Sequence, residues 1–451
     1  GVRFAFGNGN SPQRQVHTMI QLRSIITIAM LVTACATSGT VATTGSTPAC
    51  ANNAEITVPE GFCASVFADS VGRSRYVAVA DNGDVYVAIE GTRPNDTVTR
   101  AAFLGLRDTN NDGRADRIER IPGKGNTGIA LHNGFLYVDQ GETINRYRRG
   151  PNELVPSGSA EAIVTGLPLN PGHRARNFAI GPDGSLYINV GSATNSCQVK
   201  DRERESPGND PCAELETRAG VWKFDANKTG QQFTPAARVV TGARNSTGMA
   251  FGPDGKLYAM THGRDQLTQS WPRVFPDTAY NNENPAESLL QLNPGDDYGW
   301  PYCYYAFDQK GLVNAPEYGG DGRSATRCAG KKTPLATFPA HWSPLDLHFY
   351  KGANFPARYG QGAFITFHGS WNRMRGMQAG GKIVFQPMTN GAPSGQYEIF
   401  ADNFAGVPAQ EIDPNRAKHR PVGMAAGPDG SMYVTDDKGG RIYRITYVGG
   451  R

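Results

Sequence analysis

Apolar and polar residues in this chain alternate in short runs, and sustained helical spacing of apolar positions is hard to find anywhere in residues 53–451. Three segments are near copies of one another: Asn177–Ala193, Gly248–Arg264 and Gly423–Thr446. Each carries an apolar strand, a Gly-Pro-Asp-Gly turn, then an alternating strand that opens on Leu-Tyr or Met-Tyr. Proline sets φ at the first central turn position and glycine accepts the positive φ needed later, so the two strands fold back as a hairpin. Weaker copies start at Tyr76 and Gly128; a degenerate sixth, Leu345–Tyr350 with Gly362–Trp371, keeps the strands and lacks the turn. Six hairpins at roughly 50 residues or more per unit can each grow into a four-stranded blade, and radial closure protects the strand edges. The expected fold is therefore all-β, a six-bladed β-propeller, with a β-sandwich as the alternative. In such a ring the residues ending each second strand, or entering each first one, line a central funnel.

Composition agrees with many tight turns: there are 55 Gly and 30 Pro in 451 residues. At 39% hydrophobic and 10% aromatic the chain can bury a large core, which excludes a disordered or collagen-like protein. The net charge is only +4, with no run of five or six like charges, so nucleic acid is not an expected partner.

One stretch, Ile25–Ala34, is apolar enough to meet a membrane and too short to span it as a helix. It reads as the hydrophobic region of a secretion signal starting at Met19, which makes residues 1–18 an upstream mis-start. Leu31-Val-Thr-Ala-Cys35 resembles a bacterial lipoprotein cleavage box, with Cys35 as the lipidated amino terminus; an ordinary signal peptide cut nearby is the alternative. The expected organisation is a signal over 19–35, a flexible tether over 36–52 and the propeller over 53–451, in a periplasmic, membrane-anchored or otherwise secreted protein. Setting Cys35 aside leaves six cysteines, an even number as expected of an exported chain. Their order suggests Cys50–Cys63, Cys197–Cys212 and Cys303–Cys328, one of fifteen possible connectivities. The absence of CxxC and CxxCH removes zinc ribbons, thioredoxin-like sites and covalent haem.

Gly123–Gly128 matches GxGxxG but precedes a strand, so it offers no helix amino terminus to a pyrophosphate and reads as a turn. Neither a Walker A sequence nor GxSxG occurs. A stronger signal is Asp108–Glu119, with Asp108, Asn110, Asp112 and Asp116 as oxygen ligands, Gly113 at the bend and Glu119 in twelfth place, the spacing of a structural calcium loop. Three polar clusters interrupt the apolar logic of their own repeats: Gly172–Arg176, Thr241–Asn245 and His368–Arg373. Equivalent places in a propeller converge on one face, which would gather a His, an Arg-Asn pair and a His-Trp-Asn group around the axis.

Val58-Pro-Glu-Gly-Phe62, Gly172-His173 with Gly181-Pro-Asp-Gly184, Arg244-Asn245, Tyr298-Gly-Trp-Pro301, His368-Gly-Ser-Trp-Asn-Arg373 and Arg420-Pro-Val-Gly423 stand in an ordered set from about residue 55 to 447. Together they resemble the soluble, calcium-dependent quinoprotein sugar dehydrogenases, and most of all the sorbosone and pyranose dehydrogenase branch. The resemblance implies pyrroloquinoline quinone (PQQ) held in the funnel with a calcium ion, and oxidation of an aldose or related sugar. It implies His173 as general base, Arg244 over the quinone oxygens and Asn245 as a hydrogen-bonding partner of the cofactor. The backbone carbonyls of Gly263 and Arg264 match calcium-binding positions, and Arg75, His262, His368, Trp371, Asn372 and Arg420 match positions lining the cofactor. With no haem of its own, the enzyme would pass electrons to a separate acceptor, a cytochrome or a quinone. Two departures put glucose as substrate in doubt: His368-Gly-Ser-Trp371 stands where the glucose dehydrogenases have a lysine, and Thr247 replaces a glutamine. The stretch 265–288 is an insertion expected to shape the sugar site. The competing expectations are a calcium-dependent lactonase, which needs several carboxylates around an axial calcium, and a sugar-binding propeller without catalysis.

Overall fold

The computed structural model describes residues 50, 52–91, 101–169, 172–369, 371–374, 377–408 and 411–449. The expected mis-start, signal and lipidated Cys35, and nearly all of the tether, lie outside the described residues. Among the described residues no helix is long and apolar enough to cross a membrane.

The hairpins form where the repeat predicts them. Phe178–Ile180 pairs with Ser185–Val190, Ser246–Phe251 with Leu257–Thr261, and Pro421–Ala426 with Met432–Asp436, all antiparallel. Their turn glycines Gly184, Gly255 and Gly430 sit at φ of 81°, 75° and 78°, the left-handed region the turn requires. Each donates its N–H back to the glycine before the proline, at 2.9, 3.0 and 2.9 Å. The weaker copies fold alike, as Ser74–Val79 with Val85–Ile89 and Ile129–His132 with Phe135–Asp139. So does the degenerate one, Pro344–His348 with Gly362–Phe367.

Each hairpin grows outward into a sheet of at least four strands, giving six blades. The last blade is completed from the chain's other end: Phe62–Ala68 pairs with Ile442–Tyr447 as its outermost strand, Phe62 opposite Tyr447. That pairing closes the ring, and the Cys50–Cys63 disulfide staples the segment entering it. Cys197–Cys212 and Cys303–Cys328 also pair as their order suggested.

The first strands of all six hairpins line one axial cavity of about 440 Å³. Near the axis the blades touch backbone to backbone: a Cβ on Gly248 would lie 2.7 Å from Asp346 carbonyl carbon, and one on Gly423 would lie 2.7 Å from Tyr76 Cα. Tyr76 reaches across the ring, its hydroxyl lying between the carbonyls of Thr247 and Leu345 and 2.5 Å from the latter. Apolar clusters fill the gaps between neighbouring blades, such as Tyr86 and Phe103 against Ile129 and Leu136, or Tyr258 and Met260 against Ile365 and Phe367. The expected insertion contributes short helices at Leu267–Ser270 and Tyr280–Glu283, which pack Leu267 and Phe275 against Tyr304 and Val313 of the hairpin Cys303–Ala306/Gly311–Asn314. Gly123–Gly128 is an irregular connection leading into the strand Ile129–His132, as read.

Candidate active site

The repeat itself places the site. Counting four residues on from the aromatic of each second strand (Tyr86, Tyr137, Tyr187, Tyr258, Phe364, Tyr433) arrives at Glu90, Gly141, Gly191, His262, His368 and Asp437. Because each strand leaves its blade in the same direction, these six positions surround the axis on one face. Two histidines and two carboxylates occupy one arc, and two glycines the other.

Gly191 makes room for the candidate base. A Cβ there would lie 2.8 Å from His173 Cβ and 2.7 Å from Asn245 Oδ1, so His173 and Asn245 meet across it. The half-buried His173 ring sets Nδ1 2.7 Å from the Ser192 carbonyl. A carbonyl only accepts, so Nδ1 carries the proton and Nε2 keeps its lone pair. Burial, and then the Arg244 guanidinium beside it, push this imidazole down to about 3 against the pull of the Ser192 carbonyl. The ring is therefore a neutral acceptor at any ordinary pH.

Arg244 is buried and nearly saturated with partners. Its Nε donates to the Asn195 carbonyl at 3.0 Å, Nη1 to the Gly263 carbonyl at 2.8 Å, and Nη2 to Asn195 Oδ1 at 3.0 Å and Asp265 Oδ2 at 3.2 Å. Asp265 gathers loops from three blades: it also accepts from Arg202 Nη2 at 3.0 Å and from Asn372 Nδ2 at 2.8 Å. Burial alone would raise its carboxyl, but Arg244, His341 and Arg202 hold it well below the usual range. The Gly263 N–H donates to Glu287 Oε2 at 3.0 Å, while burial pushes the Glu287 carboxyl up to about 7. The Arg264 side chain turns away from the axis to Glu317, 2.6 Å from Oε1, where Trp271 Nε1 also donates at 2.9 Å.

On the other arc His368 Nε2 lies 2.8 Å from Asp437 Oδ1, and Arg75 Nη1 donates to Asp437 Oδ2 at 2.6 Å. Burial would raise Asp437, yet His368, Arg75 and Arg420 together hold it well below the usual carboxylate range. Arg420 donates through Nε to the His368 carbonyl at 3.1 Å and lies 5.1 Å from the ring of the exposed Trp371. Between the arcs, Thr247 donates to the Pro344 carbonyl at 2.6 Å, and its hydroxyl oxygen lies 3.1 Å from His262 Nε2. His262 is pushed down to about 4 by burial and then by Arg244, with His368 acting in the same direction, so it feels both arcs.

The residues expected at the funnel thus meet: His173, Arg244, Asn245, His262, Gly263, His368, Asn372, Arg75 and Arg420 form one linked set, with Trp371 at its edge. Two neighbours in the same motifs are struts. Arg176 holds the carbonyls of Gly141 and Pro168, and Arg373 holds that of Ala340 and the Glu283 carboxylate. Sequence reasoning missed Asp265, Asp437, Ser192 and Asn195. Asp437 had a signal, since it is the sixth repeat's counterpart of His262 and His368; Asn195 had none. The Asp108–Glu119 loop lies away from this set, between the outer strands Ala101–Arg107 and Arg117–Pro122 of the first blade. There Asp108 accepts from the amides of Asp112 and Gly113, Asn110 Nδ2 reaches Asp112 at 3.2 Å, Asp116 accepts from Thr109, and Glu119 pairs with Arg117. Among the described residues no three of His, Cys, Asp and Glu are grouped so as to hold a metal.

The calcium structure of a family AA12 carbohydrate-active enzyme from Trichoderma reesei superposes with a TM-score of 0.71 at 19% identity, over 89% of this chain and 98% of that one. The holo form of the PQQ domain of pyranose dehydrogenase from Coprinopsis cinerea gives 0.68 at 19% identity, over 87% and 97%. The soluble aldose sugar dehydrogenase of Escherichia coli gives 0.57 at 14%, over 86% and 99%. At these identities the likeness is one of fold. An uncharacterized protein of Borreliella burgdorferi is 30% identical over 213 residues, 46% of this chain, and the chain spans about half, 48%, of that curated relative. The TrAA12-like family model matches residues 56–448, essentially the whole ring, and the chain therefore belongs to the TrAA12-like family.

Proposed function

We propose that this protein oxidises an aldose or related sugar, of the sorbosone or pyranose kind, by hydride transfer to PQQ assisted by calcium. The observation that carries the proposal is the pairing of a neutral His173, its Nε2 lone pair left available by the Ser192 carbonyl, with Asn245 across Gly191 and with the charge of Arg244 acting on the ring. The residues suit a tricarboxylate: Arg75, Arg244 and Arg420 bring three buried guanidinium groups to the set, Arg75 and Arg420 beside Asp437 and Arg244 beside Asp265. When bound, the quinone supplies the hydride acceptor and calcium the Lewis acidity. His173 takes the proton of the sugar hydroxyl at Nε2, Arg244 offers guanidinium charge where negative charge develops, and Asn245 orients by hydrogen bonding. Gly263 and Arg264 would lend backbone carbonyls to the cation.

The charged groups of the site also bear on the lactonase alternative. Two of its carboxylates, Asp265 and Asp437, are already engaged by guanidinium groups, whereas a lactonase needs carboxylates free to ligate. In the test, purified protein receives PQQ and calcium, singly and together, and dye reduction is followed with aldoses, ketoaldoses and lactones. Turnover should need both additions and should fall by about a hundredfold or more in His173→Ala. Lactone hydrolysis without quinone, or sugar binding without turnover, would replace the dehydrogenase by the corresponding alternative. Export with a lipid on Cys35 and delivery of electrons to a separate cytochrome or quinone belong to the same proposal. Palmitate labelling of Cys35→Ser against the wild type tests the anchor.

A further inference from the structure

Trp371 stands at the edge of the site with its side chain in the open. It is the one exposed tryptophan of the five, at 56%, and the Arg420 guanidinium lies over its ring at 5.1 Å. Core packing therefore does not decide where this indole sits; the backbone that carries it does. That backbone is held from the neighbouring blade. The next three residues, Asn372, Arg373 and Met374, meet Asp265 and the short helix Tyr280–Glu283 of the stretch 265–288. Asn372 Nδ2 donates to Asp265 Oδ1 at 2.8 Å, and the Asn372 carbonyl accepts from Asn281 Nδ2. Arg373 donates to the Asn282 carbonyl through Nη1 and to Glu283 Oε1 through Nη2, the latter at 2.9 Å. The Met374 N–H donates to Asn282 Oδ1 at 2.8 Å, and Asn282 Nδ2 lies 3.3 Å from Met377 Sδ.

Asn281 and Asn282 are buried, so lifting the loop would strand their amides without partners. Their orientations are fixed by groups with one role each. Asn281 Oδ1 accepts from the Leu267 N–H at 2.9 Å, which turns its Nδ2 to the Asn372 carbonyl. Nor can the helix drift with the loop. Tyr280 stacks on Phe275 with centroids 4.7 Å apart, and its hydroxyl lies 3.2 Å from that of Tyr304, in the hairpin stapled by Cys303–Cys328.

We propose that the stretch 265–288 is a clamp, in which Asn281 and Asn282 are positioning residues that hold Trp371 as a fixed wall at the edge of the site. With Arg420 over one side of the indole, the open side is an apolar plane beside a polar site, a surface that suits the C–H face of a sugar ring. This rests on the sugar dehydrogenase reading and deepens it: residues of the insertion set how tightly the sugar is held, and they do so through Trp371.

The test reads Trp371 directly, by time-resolved fluorescence anisotropy of the full chain, the part due to Trp371 being the part lost in Trp371→Phe. In Asn282→Ala the amplitude of its nanosecond motion should be about twice that of the wild type or more. Asn282→Asp, which keeps an acceptor for the Met374 N–H, should stay close to the wild type. With PQQ, calcium and an aldose that the wild type oxidises, Asn282→Ala should raise KM about fivefold or more and leave kcat within about twofold, the mark of lost uniform binding. The Glu283 side chain is 47% exposed, so Glu283→Ala leaves the core closed and should move both readouts in the same direction. A lower melting temperature in Asn282→Ala with unchanged anisotropy and KM would make Asn282 structural only and overturn the clamp. Freer motion of Trp371 with unchanged KM would overturn its part in holding the sugar. Should Asn282→Ala fail to fold, Glu283→Ala decides, and wild-type values of both readouts there overturn the proposal. A wild type that turns over no sugar, while its anisotropy still differs from that of the variants, would overturn the dehydrogenase reading and leave the clamp standing.

Discussion

Asp437 joins side chains from two neighbouring blades at once, taking His368 Nε2 on one oxygen at 2.8 Å and the Arg75 guanidinium Nη1 on the other at 2.6 Å. The carboxylate is buried, its side chain 7% exposed, and the Arg75 side chain is 8% exposed. Removing one partner from such a group leaves an uncompensated buried charge. Asp437→Ala should therefore cost on the order of 3 kcal/mol of stability, read as a lower urea midpoint with an unchanged slope. An effect below about 1 kcal/mol would show that water already shares this cluster.

The neutral His173 sets a pH signature. With its imidazole at about 3, His173 should produce no acid limb in kcat/KM between about pH 5 and 8. A bell with an inflection near the ordinary histidine value would mean that the bound state reverses the shift.

The same shifts act on stability with a definite sign. His173, His262 and His341 all titrate lower in the folded chain, at about 3, 4 and 4, than unfolded, near 6.5. The unfolded state therefore takes up protons first as pH falls, and their contribution is complete above about pH 6.5 and lost progressively toward pH 4. Thermal melts should fall from pH 7 to pH 4.5. A flat profile over that window would contradict the burial of these rings.

Gly191→Ala is the smallest test of the axial geometry. The added methyl would meet His173 Cβ and Asn245 Oδ1 well inside contact distance, so kcat/KM should drop about tenfold or more as the two are pushed apart. Circular dichroism and melting temperature should change little, because the clash falls on two side chains and on no backbone atom.

Just ahead of the segment closed by Cys197–Cys212 stand Asn195, two residues before the first cysteine, and Ser192, three before that. Opening this 15-residue loop should cost roughly 3 kcal/mol in the chain-entropy account. It should also loosen the partners of Arg244 and His173. Cys197→Ser/Cys212→Ser is expected to lose cofactor affinity at a temperature where it remains folded, whereas Cys50→Ser/Cys63→Ser should lower stability alone.

Much of the fold was legible because the signal was local and repeated. A Pro-Asp-Gly turn between period-two strands dictates a hairpin wherever it occurs, and six hairpins at that spacing dictate blades. The site's first members were legible for the same reason: His368 stands just after a repeat strand, and His173 and Arg244-Asn245 each stand just before one. What sequence could not supply was the partner across a gap. Phe62–Ala68 becomes the outer strand of the last blade only because the ring must close on its own beginning. Asp265 gathers Arg202, Arg244 and Asn372, separated by up to 170 residues, only after three blades are set side by side. The tautomer of His173 likewise depends on a backbone carbonyl 19 residues away. Hydrophobic periodicity is a property of neighbours in the chain and survives without tertiary structure. Charge pairing, desolvation and the direction of a lone pair are properties of neighbours in space, and those exist only once the ring has closed.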